Sequence, residues 1–324
     1  MKKVILLSLF ITLFATLTAQ TRITVYPDSL EETISGQFQP GTFYVPRTNE
    51  AQADFLENGI HQNAIRINVL EGALNNTTNL TDCLSYLDLA RNTLQQLPAK
   101  TDVLMFVIGK MPPWLSSSSD SSPSATPGWA ILHTRPPASY SEWQTVVSAL
   151  VDRIVNTYGI SDAQFEIWNE PDLGSWTGTK AEYFRLYQVT YDAVKSVDPD
   201  LRVGGPSTNY WANNIGYQPP YGYLTDSTAD LSLIGELIDS TTAWNKPMDF
   251  ISWHDFNVVH HPQLNAIDYI QRKYALLGLP LPELILSEWN TPSIVRETPL
   301  QKSFLLKNQL ELAKTDLGHN VIAA

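Results

Sequence analysis

Short apolar runs alternate with amphipathic runs along most of this chain, and that alternation restricts the fold more than any other feature. Strand candidates lie at residues 34–38, 64–69, 103–108, 164–170, 201–205, 249–256, 284–290 and 320–324. Helical spacing of apolar side chains marks residues 49–58, 80–97, 141–158, 180–197 and 298–315, and further helices precede the strands at 249 and 284. The run at 80–97 carries Leu80, Leu84, Leu87, Leu94 and Leu97 on one face and stops at Pro98, while Ser141 is read as the cap of 141–158. Strands that alternate with helices form βα units around a parallel sheet. Eight of them predict an α/β (β/α)8 TIM barrel, which typically takes about 250 residues. An open doubly wound sheet competes, but no Gly-rich phosphate loop follows the first strand. The last strand stops at residue 324 with no helix after it, so the expectation is a barrel truncated within its eighth βα unit.

Residues 1–19 read as a signal peptide: Lys2 and Lys3, an apolar run from Val4 to Leu17, then small residues before Gln20. The apolar run is short for a membrane span, and a retained anchor is the alternative. Export to the periplasm or outside the cell is expected, with residues 20–324 as the barrel domain and no membrane association after cleavage. Losing that segment removes two lysines and no acids, taking the formal charge from -12 to -14. Such an acidic chain is a poor partner for nucleic acid. Cys83 is the single cysteine and reads as a buried thiol on an apolar helical face.

Polar residues gather at the C-terminal ends of the strand candidates, where barrels of this kind place their active sites. In residues 165–172, period two puts Glu166, Trp168 and Glu170 on the inner face and Phe165 and Ile167 on the other. Burying two carboxylates without partners is costly, so they call for a purpose. Residues 284–290 repeat the pattern with Glu288, Trp289 and Asn290. Arg66 and Asn68 are expected on the inner face of the second strand, and Ser252, His254 and Phe256 on that of the sixth. Strands four and seven face each other across an eight-stranded barrel, so Glu170 and Glu288 can flank one bond. Glycosidic hydrolysis needs such a pair, one protonating the leaving oxygen and one attacking or activating water. The acid is expected to have a raised pKa, sheltered by Trp168 and Trp289. Residues 110–138 and 206–230 form long loops, and their aromatics Trp114, Trp129, Tyr210 and Trp211, with Trp176, are candidate sugar-stacking platforms. His260 and His261 lack further ligands at a fitting spacing, so no metal and no cofactor is expected.

The run at 165–172 resembles the acid/base motif of glycoside hydrolase family 39, which includes β-xylosidases and α-L-iduronidases. Similar too are Pro136-Pro137 with Tyr140 and Trp143, residues 183–187, 203–206, 249–254 and 287–290. The resemblance covers about residues 60–324. It implies a retaining double displacement in a (β/α)8 barrel, with Glu170 as acid/base, Glu288 as nucleophile and Asn169 on the sugar 2-hydroxyl. Arg66 is read as orienting Glu288. Substrate-lining positions then include Asn169, Arg66, Asn68, His254, Trp289, Trp114 and Phe256. Three positions depart from the family pattern: Ala163 for Trp, Asn68 for His, and Phe256 for an aromatic hydroxyl. The expected partner is an oligo- or polysaccharide. A sugar-binding barrel without turnover and a transglycosylase are the alternatives.

Overall fold

Strands pair in parallel and in chain order, each with its sequence neighbour, in one eight-stranded sheet. A computed structural model describes residues 42–43, 57–58, 61–75, 77–126, 128–219, 225–256, 262–289 and 321–323. All lie in the unit Ile34–Ala324. The strands are β1 (Thr42–Phe43), β2 (Gln62–Ile67), β3 (Thr101–Ile108), β4 (Ala163–Ile167), β5 (Arg202–Thr208), β6 (Phe250–Asp255), β7 (Glu283–Trp289) and β8 (Val321–Ala323). β8 approaches β2 as well as β7, so the sheet curls into a nearly closed barrel. The expected (β/α)8 fold is therefore present. Segments 1–19, 34–38 and 298–315, together with Asn290, Tyr221, Tyr223, His260 and His261, lie outside the described residues. Among those described, no helix is long and apolar enough to cross a membrane.

The helices are α1 (Val69–Asn75), α2 (Leu80–Asp88), α3 (Tyr140–Asp152), α4 (Lys180–Val197), α5 (Leu233–Ala243) and α6 (Pro262–Leu277). α4 starts at a reciprocal cap, with the Thr179 hydroxyl accepting from the Glu182 N–H and the Glu182 carboxylate accepting from the Thr179 N–H. The single helix expected over 80–97 is instead broken after Asp88 into short helical turns at Arg91–Leu94 and Leu97–Lys100. Pro98 sits in the first turn of the last of these, where its missing N–H costs nothing. The cap of α3 is Ser139 rather than Ser141, because its hydroxyl accepts from the Glu142 N–H.

The core has two parts. A large shell between sheet and helices holds Ile65, Leu104, Phe165, Ile167, Ile251 and Leu284 with the inward faces of the helices. A small plug of Ala64, Met105, Phe250 and Ile285 fills the barrel. Gly204 makes room for that plug, since a Cβ there would lie 2.2 Å from the Phe250 carbonyl oxygen. Above the plug the interior turns polar with Arg66, Glu166, Ser252 and His254, all buried.

Candidate active site

Three local distortions aim the polar side chains. β4 ends at Ile167, and Trp168 and Glu170 both adopt left-handed backbone conformations, with φ of 72° and 48°. Such conformations are costly for residues other than glycine and collect at functional sites. Here hydrogen bonds to both neighbouring strands hold them: Trp168 N–H donates to Ile108 O (2.8 Å) and Glu170 N–H to Ser207 O (2.9 Å). On β5 the register shifts between Pro206 and Thr208, leaving Ser207 as an extra residue at φ 55°. On β7 a second shift at Ser287 pairs His254 with Glu288. Without that extra residue, alternation from inward Ile285 would turn Glu288 outward.

Arg66 is the hub. Its guanidinium, 1% exposed, donates to Glu166 Oε2 (2.6 Å), Glu288 Oε1 (2.8 Å), Asn169 Oδ1 (2.7 Å) and Ser207 Oγ (3.1 Å). A planar fork of donors suits this task as an ammonium would not. His254, fully buried, donates from Nδ1 to Glu170 Oε1 (3.0 Å) and shares a hydrogen bond between Nε2 and the Ser207 hydroxyl (2.9 Å), with Glu288 Oε1 at 3.7 Å from Nε2. One oxygen of Glu170, one of Glu288 and a nitrogen of His254 all lie within 4.8 Å of one another. These groups could ligate a metal ion, but the Arg66 guanidinium already occupies the Glu288 oxygen and would repel a second cation there.

The electrostatics reverse one expectation. Burial pushes the Glu170 carboxyl up, yet the hydrogen bond and charge of His254, the Asn209 amide and the Arg66 charge outweigh it and leave the pKa below the usual value. A raised pKa was expected from apolar surroundings, but Glu170 sits among donors instead. Burial pushes His254 down, while Glu288 and Glu170 outweigh it and raise the imidazole above its ordinary value. Trp168, expected on the inner face beside Glu170, is turned away by its left-handed backbone. It is buried in the outer shell, edge-on to Trp129 and Trp176.

Glu170, Glu288, Asn169, Arg66 and His254 thus come together as one cluster. Phe256 lies just beyond β6, edge-on to the His254 ring at 6.1 Å. Asn68 falls past the end of β2, where its amide donates weakly to Glu71 Oε2 (3.4 Å) and its Oδ1 has no hydrogen-bond partner among the described residues. Trp289 is half-buried against the outer shell. Trp114 and Trp129 are likewise half-buried against that shell, within a loop that folds back through Ser116–Pro137 and Pro123–Ala130 bridges. Trp176, Tyr210 and Trp211 are buried packing residues, not platforms.

Sequence reasoning missed the segment after β5. Asn209 donates from Nδ2 to Glu170 Oε1 (2.8 Å) and from its backbone N–H to Asp172 Oδ1 (2.9 Å), and Asn213 Nδ2 donates to Asp172 Oδ2 (2.7 Å). Burial raises Asp172 to about 6 despite those bonds. Its signal was present as polar residues closing a barrel strand, masked because Pro206 reads as a strand stop.

A parallel eight-stranded barrel with two carboxylates converging at the ends of β4 and β7 defines a class: barrels whose site has the carboxylate pair that glycosidic bond cleavage requires. The chain belongs to the glycosyl hydrolases family 39, which matches residues 76–275. It is 31% identical over 205 residues to a β-xylosidase from Caldicellulosiruptor saccharolyticus, covering 56% of this chain and 38% of that protein. A β-xylosidase from Geobacillus stearothermophilus is 32% identical over 170 residues, covering 51% and 29%. The chain therefore spans well under half the length of these relatives. A family 39 β-xylosidase structure from Caulobacter crescentus superposes with a TM-score of 0.61 at 21% identity, over 88% of this chain and 60% of that one.

Proposed function

We propose that this chain is the catalytic barrel of a retaining, β-xylosidase-like glycoside hydrolase that works by double displacement. The observation that carries the reading is the carboxylate pair, whose nearest oxygens lie within 4.8 Å of each other. Retaining enzymes hold their carboxyl groups about 5–5.5 Å apart, whereas inverting ones leave about 6.5–9.5 Å for a water. Glu288, oriented by Arg66, attacks the anomeric carbon, and the leaving oxygen takes a proton as the glycosidic bond breaks. Glu170 delivers that proton from the oxygen facing the leaving group, since its Oε1 already accepts from His254 and Asn209. Glu170 then removes a proton from the water that hydrolyses the glycosyl ester. Asn169, fixed by Arg66, offers its amide to the sugar 2-hydroxyl.

The substrate is an oligo- or polysaccharide fragment, and the relatives named β-xylosidases make β-xylosides the first to try. We further propose that the leading segment directs export, placing the enzyme where such polymers are met. Phe256 beside His254 supports a second reading, a sugar-binding barrel without turnover, since it brings no hydroxyl to the site. Release of nitrophenol from aryl β-xyloside, β-glucoside, β-galactoside, α-L-arabinoside and uronides separates the two. Turnover of one sugar that falls about 10²–10⁴-fold in Glu170→Gln, and to background in Glu288→Gln, is the expected result. A folded protein that binds xylo-oligosaccharides yet turns over nothing on the panel would leave the binding reading.

A further inference from the structure

We propose that Asn209 is a positioning residue for Glu170, itself anchored by the buried carboxylate of Asp172. Glu170 Oε1 receives both the Asn209 amide (2.8 Å) and the His254 imidazole (3.0 Å), while Oε2 has no protein hydrogen bond among the described residues. The two oxygens are thus made unequal. Oε1 is spent on the protein, and Oε2 is left for the leaving oxygen and then for the attacking water. One donor could be followed by the carboxylate as it rotates; two from different parts of the chain, the segment after β5 and β6, fix its plane.

Asn209 can do this only if its own backbone is fixed. Asp172, 3% exposed and two residues past Glu170, accepts the Asn209 N–H at one oxygen and the Asn213 amide at the other. A buried carboxylate is costly, and the segment after β5 gives one donor to each of its oxygens. The loop that carries Glu170 and the strand end that carries its donor are therefore clamped to each other. A purely structural clamp would need only the backbone bond. The Asn209 side chain adds a donor on the reacting group. The charged groups facing Glu170 are His254 from β6, Arg66 from β2, Glu288 from β7 and Asp172 from its own loop. Asn209 is the neutral donor among them, so its removal changes the stabilisation of the Glu170 anion without deleting a charge.

This inference rests on Glu170 being the acid/base. The test is the pH dependence of kcat/KM on an aryl glycoside that the parent cleaves, for the parent, Asn209→Ala and Asn209→Asp. Both variants keep the backbone N–H that Asp172 accepts. Losing the donor should move the alkaline limb up by roughly half to one pH unit in Asn209→Ala. Asn209→Asp sets a like charge beside Glu170 and should move it further, and it carries the test alone if the alanine variant does not fold. Limbs that stay in place while kcat falls equally in both would overturn the inference and leave Asn209 a packing residue. Glu170→Ala with an activated aryl glycoside and added azide is the control. Azide attacking the anomeric carbon, with release of the Glu288 carboxylate, should restore turnover and give a glycosyl azide. No rescue would overturn the acid/base reading beneath the inference, a failure distinct from an unmoved limb.

Discussion

Single residues in this site act by constraining one another's charge. Arg66 spans two carboxylates, one amide and one hydroxyl, so one side chain sets the plane of Glu288, the orientation of Asn169 and the neutralisation of buried Glu166. Asp172 shows what such burial does to a carboxyl. It titrates near 6 in the folded chain against an ordinary 3.8, so the folded form holds its proton more tightly than the unfolded form. The stability it contributes is full below about pH 3.8 and is lost as pH rises through 6, an amount on the order of 2–3 kcal/mol. Replacing it by Asn removes this titration. The stability of the parent minus that of Asp172→Asn, from urea unfolding, should fall by that order between pH 4 and 7; a constant difference would contradict it. At this scale the sequence displayed Glu170, Glu288, Arg66, Asn169 and His254, because each is a polar side chain in an apolar strand-like run. It hid the sign of the Glu170 shift, since the donors responsible arrive from the segment after β5 and from β6, far away in sequence.

Elements carry these side chains to their places, and their irregularities matter as much as their regular parts. The extra residues Ser207 and Ser287 each reset the inward–outward alternation of a strand just before it reaches the site. Periodicity reading treats a strand as an unbroken period of two, so it put Trp168 inward with Glu170, and the left-handed turn at Trp168 undid that. Long helices were easier: Lys180–Val197 has the expected limits because its reciprocal cap and apolar stripe are local. The β5–β6 contact offers a sharp test. Gly204→Ala would drive a Cβ to within 2.2 Å of the Phe250 backbone oxygen, which cannot step aside without breaking the pairing. We expect a loss of more than about 3 kcal/mol, at the upper end of overpacking costs. Thermal unfolding with a melting temperature close to the parent's would refute the contact.

Across the whole molecule, the division of the core separates stability from function. The outer shell binds helices to the sheet, while the inner plug lies inside the barrel, where its Met105 is the register partner of Arg66 on the adjacent strand. Met105→Ala should cost about 2–4 kcal/mol and also lower kcat, because a cavity beside the hub loosens the guanidinium. Leu237→Ala, in the outer shell, should cost a similar amount and leave kcat of the folded protein unchanged. Equal kcat in the two variants, measured where both are folded, would show that the plug does not support the site. The sequence by itself determined the barrel, its βα order and the strands that end in carboxylates. Those features are local: apolar periodicity, caps and breakers act over a few residues and need no partner to be read. Only the tertiary structure decided which way each strand end faces, which loop aromatics are core, and which donors surround Glu170. Those outcomes depend on extra residues, donors and charges contributed by strands distant in the chain, and their energies exist only once the barrel has brought them within hydrogen-bonding distance.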